Sequence, residues 1–243
     1  MPDDRRKTPP PRGVAPEGRP DAATPPLGSR SAGRSDRRFV VIGTLLNALF
    51  ALALARWAGT GREGTQLALR MTARVSFAWF MLAFLASPLH ALRPRDATRR
   101  LLRRRRALGI TFGLSMAIHV GFILRLFLLY SPERPPMVTD ADFLVGIPGL
   151  LLVAAMTLTS AATLRRRLDP VAWKRLHVVG LWAAWAIFFL CLVDSIGRKE
   201  TSHPLLAYGL FIAILLAGAG LRLAARTLRP RRPDESAIAV RPG

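Results

Sequence analysis

Six apolar runs, at about residues 39–55, 75–92, 107–130, 143–163, 177–196 and 204–221, set the terms for any fold this chain can adopt. Each is close to the ~20 residues that a helix needs to cross a hydrocarbon core, the first being the shortest. None alternates along ~10 residues as a barrel strand would. In lipid each backbone N–H and C=O must be satisfied within its own segment, so the runs read as spanning helices. The expected fold is all-α: a polytopic membrane helical bundle of six transmembrane helices.

The charge follows the same division. The formal net charge is +21 and 51% of residues are apolar, yet the cations stand in blocks between the runs. So basic a composition is also common in nucleic-acid binders. Here the basic blocks flank membrane-length segments, and no nucleic-acid partner is expected; the partner is the lipid bilayer. The segment before the first run holds nine Lys/Arg, 91–106 eight, 165–176 five, and the chain from 222 onward six. The alternate connections are poorer, with four from Arg56 to Arg74, Arg134 alone at 131–142, and Arg198 and Lys199 near 197–203. By the positive-inside rule both termini are cytoplasmic in a bacterial-type inner membrane.

Residues 1–38, rich in Pro, Arg, Gly and Ser, read as a disordered basic cytoplasmic tail. Residues 39–224 form the six-helix domain and 225–243 a second basic tail. Arg37-Arg38 ahead of Ala51-Leu-Ala53 and Ala53-Leu-Ala55 has some likeness to a cleavable twin-arginine leader. The spacing about the arginine pair is wrong for that motif, so the first span is expected to be retained.

Ligand arithmetic is short. Cys191, as a single cysteine, leaves no disulfide framework and no cysteine zinc cluster, and the histidines are His90, His119, His177 and His203. Phosphate loops, HExxH and nucleophile elbows are absent. His119 lies thirteen residues past Arg106, about 20 Å into the membrane at 1.5 Å per residue. An ionisable ring at that depth is costly and calls for a partner, either a cofactor or another helix. The same helix carries Gly109, Gly113, Ala117 and Gly121 at four-residue intervals, a ridge that permits close approach by a neighbour. On an ideal helix His119 points away from that ridge, toward Phe112, Ser115 and Phe122.

Two stretches carry a resemblance. One is Arg105-Arg-Ala-Leu-Gly109 followed by Ala117-Ile-His119. The other is Leu158-Thr-Ser160, Leu164-Arg-Arg-Arg-Leu168 and Trp173-Lys-Arg-Leu-His177. Together, over about residues 70–195, they resemble the ferric-reductase-like transmembrane domain, and most of all its heme-binding membrane subunit family MsrQ (YedZ). The resemblance implies a b-type heme held by histidines between the third and fifth spans, with His119 and His177 at ligand-type positions. It implies electrons taken from the quinone or cytoplasmic side and passed outward, in that family to a periplasmic molybdenum-containing reductase. The chain would then be at most the electron-transfer subunit of an oxidoreductase system.

The sequence departs from that pattern at one place. The family has a further histidine thirteen residues after the one matching His177, and here that position is Leu190. His177 is two residues past Arg175, about 3 Å deep against about 20 Å for His119, so the two should not share one heme. Cys191, about 24 Å deep, is nearly level with His119 and is a candidate second ligand; a lone membrane cysteine is otherwise a packing residue. His90, at the inner edge, is a candidate partner for His177, or an ordinary interfacial histidine after Pro88. Arg125 and Asp194, each nineteen residues past its cationic edge, are expected to form an ion pair near the outer edge. Arg125 could also meet a heme propionate or snorkel outward alone.

Three functions stay open at this point. The first is an MsrQ-like heme electron-transfer subunit. The second is a heme-less module of the same scaffold used for assembly or partner binding. The third, a transporter, lacks the repeated mid-membrane polar halves such proteins use.

Overall fold

A computed structural model describes residues 27–59, 61–130, 140–165, 167–197 and 204–228, and all regular structure in them is helical. The elements are α1 (Leu27–Trp57), α2 (Arg62–Leu92), α3 (Asp96–Arg103), α4 (Arg105–Tyr130), α5 (Asp140–Thr159), α6 (Ala162–Arg165), α7 (Pro170–Gly197) and α8 (Pro204–Thr227). Five of the six apolar runs lie in helices long and apolar enough to cross a membrane: Ser35–Trp57, Arg62–Leu92, Arg105–Tyr130, Pro170–Gly197 and Tyr208–Thr227. The fourth run differs. Its described apolar stretch, Gly146–Thr159, is shorter than a crossing, and the chain turns at Ser160 into α6. At the other end α1 begins at Leu27 and so takes in residues 27–38 of the basic tail. Most of that tail, the 131–139 connection, His203 and the C-terminal tail from 229 lie outside the described residues.

Local chemistry fixes several helix ends. Pro170 opens α7 where a missing N–H costs nothing, and Asp169 caps it by accepting from the Ala172 N–H at 2.8 Å. Between α2 and α3 the Thr98 hydroxyl serves the backbone, facing the carbonyls of Arg93 at 2.8 Å and Arg95 at 2.9 Å and accepting from the Arg95 N–H at 3.0 Å.

α2 is the hub. It packs on α1, α4 and α8, while α4 meets α5, α5 meets α7 and α7 meets α8, so five helices close a ring with α1 against its α2–α4 side. The ring is filled by Phe77, Phe80, Met81, Phe84, Phe112, Val153, Leu181, Ala184 and Leu215. Its outside is apolar as well: Leu46, Leu49, Leu128, Leu151, Val179 and Leu210 are all exposed, a surface suited to lipid and not to water.

Small residues set the helix spacings. A methyl group on Gly113 would run into the Thr157 side chain, and one on Gly180 into Met156, so α5 approaches α4 and α7 closely at these two points. Gly109 and Gly121 have open space beside them, so the expected glycine ridge acts at one position and not along its length.

Pro88 lies inside α2 and has no N–H to give the carbonyl of Phe84, four residues earlier. That carbonyl is not left orphaned. Arg222 of α8, itself buried, donates to it from Nη1 at 2.8 Å, and its guanidinium lies 4.7 Å over the Phe84 ring. The proline removes one backbone bond and the arginine supplies its replacement from another helix.

The arrangement predicts non-additivity. Arg222→Met alone should cost about 2 kcal/mol by leaving the carbonyl unsatisfied. In the Pro88→Ala background the restored backbone N–H should cut that cost by about 1 kcal/mol or more. Denaturant unfolding of the four proteins in detergent micelles measures it; strictly additive losses would contradict the pairing.

Candidate functional site

The blocks that carried the resemblance meet at the cationic end of the ring. Arg106 donates to the Ser160 carbonyl from Nε at 2.9 Å and from Nη2 at 2.6 Å. Trp173 Nε1 donates to the Thr159 carbonyl at 3.2 Å, under the Arg165 guanidinium at 4.8 Å. One turn further, His177 stacks on Trp173, with ring centroids 4.1 Å apart. Its Nδ1 faces the Trp173 carbonyl at 3.0 Å. A carbonyl only accepts, so Nδ1 carries the proton and Nε2 holds the lone pair. Nε2 lies 3.2 Å from Ser160 Oγ, whose own proton can go to it or to the Met156 carbonyl at 2.7 Å. An imidazole oriented through Nδ1–H with Nε2 available is what a metal-binding histidine needs.

What Nε2 faces is small. His177 lines a cavity of about 50 Å³ with Ser160, Met156, Gly109, Phe112 and Leu181. Cofactor pockets run to about 300–1,000 Å³. Deeper in, α4 and α7 meet through Phe112 and Phe188, 6.2 Å between centroids. Phe188 also stacks against Phe77 at 5.5 Å and Phe80 at 5.3 Å, and Phe80 against Phe84 at 5.4 Å and Phe112 at 5.4 Å. Such edge and tilted contacts add to burial at each pair. The residues between α4 and α7 therefore do not fit a heme: the lateral space is taken by phenylalanines, and no second imidazole lines the cavity across from His177.

His119 belongs to a different surface. It is ten residues beyond Gly109 of the cavity wall, about 15 Å along α4. Its Nδ1 lies 3.1 Å from Thr72 Oγ1 of α2. The Thr72 hydroxyl is 2.8 Å from the Ala68 carbonyl and 3.0 Å from that of Leu69, so its proton is held there and it accepts from His119 Nδ1–H. One turn away, Asn47 Nδ2 donates to Ser115 Oγ at 2.6 Å and Ser115 bonds Ser76 at 2.7 Å, all buried. His119 thus ends a polar seam that ties α1, α2 and α4 together, while His177 sits at the ring's cavity.

The remaining candidates lie outside this cavity. His90 Nδ1 is 3.3 Å from Thr98 Oγ1 and serves the α2–α3 turn. Cys191 is exposed on α7. Leu190, the position of the expected extra histidine, is 53% exposed and turned out of the ring. Arg125 is half-buried on α4 and Asp194 exposed on α7, two helices that meet through the phenylalanines deeper in the bundle. Phe188 carries no motif of its own, Ser160 and Trp173 stand in the resemblance blocks without an assigned role, and Arg222 counts in the sequence only as one of the C-terminal cations. The spacing Phe84-x-x-x-Pro88 was the available signal for Arg222, since it announces an orphan carbonyl; which helix would answer it is a through-space fact.

Residues 72–191 match the family described as ferric reductase like transmembrane component. No curated protein and no solved structure matches the chain.

Phe188 touches three other rings, so Phe188→Ala should leave a cavity and lower unfolding stability by about 3–5 kcal/mol. Leu190→Ala, on the exposed face of the same turn, should cost well under about 1 kcal/mol. Denaturant unfolding in micelles checks both, and comparable losses would show that Phe188 is not core.

Proposed function

Because residues 72–191 match the family described as ferric reductase like transmembrane component, we propose that this chain is a multi-pass membrane subunit of an electron-transfer system that acts in assembly or partner binding and carries no heme between α4 and α7. The observation that carries this reading is the phenylalanine cluster in the space where the fold is expected to enclose a cofactor. Leu190 supports it, since the position of the missing ligand both lacks an imidazole and faces outward.

In this reading α5 makes the fourth of six crossings. Its 20 residues reach about 30 Å, enough for the hydrocarbon core. The arginine-rich ends of α2, α4, α7 and α8 then face the cytoplasm with both termini, in a bacterial-type inner membrane. The chain's own residues do mechanical work: Arg106 and Trp173 pin the α5–α6 turn, the phenylalanines close the ring, the Thr72–His119 and Ser76–Ser115 bonds hold α2 to α4, and the Asn47–Ser115 bond holds α1 to them.

A second reading is favoured by one observation, the Nε2 lone pair of His177 turned toward a cavity. It makes the chain an MsrQ-like b-type heme subunit between quinone and a periplasmic molybdenum-containing reductase. That reading requires Phe112 and Phe188 to part, and a second ligand from His119, His90 or Cys191 to move into reach.

Reduced-minus-oxidised visible spectra of membranes from cells overproducing the protein, with heme precursor supplied, separate the two. The expected result is no b-type signal above that of control membranes. A b-type signal that scales with the protein and is lost in His177→Ala would overturn the heme-free reading.

A further inference from the structure

Around the cationic end of the ring, arginines from two helices converge on one turn of α2. Arg222 reaches the Phe84 carbonyl from α8, and Arg105 Nη1 of α4 donates to Ser87 Oγ, three residues on, at 3.1 Å. Arg105 also lies within coulombic reach of both Arg222 and His177. One turn past Arg222, Arg226 is exposed at the rim and sits 5.8 Å over the Trp182 ring of α7. Stacking on Phe84 and Trp182 holds two guanidinium planes in place with most of their donors unused.

This gathering of like charge has no counter-charge among the described residues. Arg222 is 9% exposed, and among the described residues its hydrogen bond goes to a neutral carbonyl. A buried charge compensated only in this way is costly. Asp96 of α3 is 4.0 Å from Arg99, and Asp169 caps α7. An anion with several acceptor oxygens, wide enough to meet donors from α4 and α8 together, satisfies the site. A phosphate group does so bidentately.

We propose that this arginine-lined mouth binds the phosphate of an anionic phospholipid headgroup, with Arg222, Arg105 and Arg226 as its cationic walls. A lipid suits it better than free phosphate because the rim continues into exposed apolar side chains, Leu223 on α8 and Val178 and Val179 on α7, along which acyl chains can lie. The site is independent of whether the ring holds a redox group.

The test is a titration of the full-length protein in a neutral detergent with short-chain phosphatidylglycerol and, separately, phosphatidylcholine. Phosphatidylglycerol should bind at least about tenfold more tightly. Arg105→Gln with Arg226→Gln should weaken it by about 20-fold, at a few-fold per arginine, and leave phosphatidylcholine binding unchanged. Arg62→Gln, at the opposite end of α2, should change neither. If the double variant loses helicity, Arg226→Gln alone carries the test, since that side chain lies exposed at the rim. Equal affinity for the two lipids, or unchanged phosphatidylglycerol affinity in the variants, overturns the proposal. So does full displacement of the lipid by millimolar inorganic phosphate, which would make the site one for a soluble anion.

Discussion

The contact on which the rest of this bundle depends is the one between Arg222 and the Phe84 carbonyl. A spanning helix cannot leave a carbonyl unsatisfied in hydrocarbon, and Pro88 guarantees that α2 has one to satisfy. Among the described residues, the donor that answers it comes from α8. By answering with a charged side chain, α8 is locked to the hub helix at one register, and the ring α2–α4–α5–α7–α8 closes where the interior rings can interlock. The same bond draws a cation into the bundle, so the arginine-rich end holds a buried positive charge as well as its surface arginines.

Inside that ring, packing and not ligation supplies the cohesion. Phe188 occupies the middle of α7's inner face and touches Phe77, Phe80 and Phe112 from two other helices. In a fold expected to wrap a macrocycle, these rings fill the volume themselves. His177 retains the orientation of a ligand, with Nδ1–H fixed by the Trp173 carbonyl, but the adjoining space is about 50 Å³. His119, about 15 Å further along, makes a hydrogen bond between helices.

Much of this is legible in the residues. Hydropathy alone marks five of the spans, because a membrane-length apolar helix needs no tertiary information to be recognised. Counting from the arginine blocks puts His119 and His177 at different levels, and rise per residue is enough for that. The direction in which a side chain faces is another matter. Leu190 and Phe188 are two residues apart on one apolar helix, and only the neighbours decide that Phe188 points inward and Leu190 out. The glycine interval on α4 likewise reads as one ridge, yet a neighbour arrives only at Gly113. The pairing of Pro88 with Arg222 spans the whole domain, so no local pattern could announce it. The fourth run, expected over 143–163, ends as helix at Thr159, because apolar residues on both sides of a helix end look like one segment in sequence.

If the ring is complete on its own side chains, the full-length protein made in cells unable to make heme should match the protein from heme-replete cells. Accumulation in the membrane, helicity and unfolding midpoint in detergent are the quantities to compare. Equal values in both preparations are predicted, because Phe77, Phe80, Phe112 and Phe188 already fill the core. Loss of accumulation, or a lower midpoint that heme restores, would contradict it.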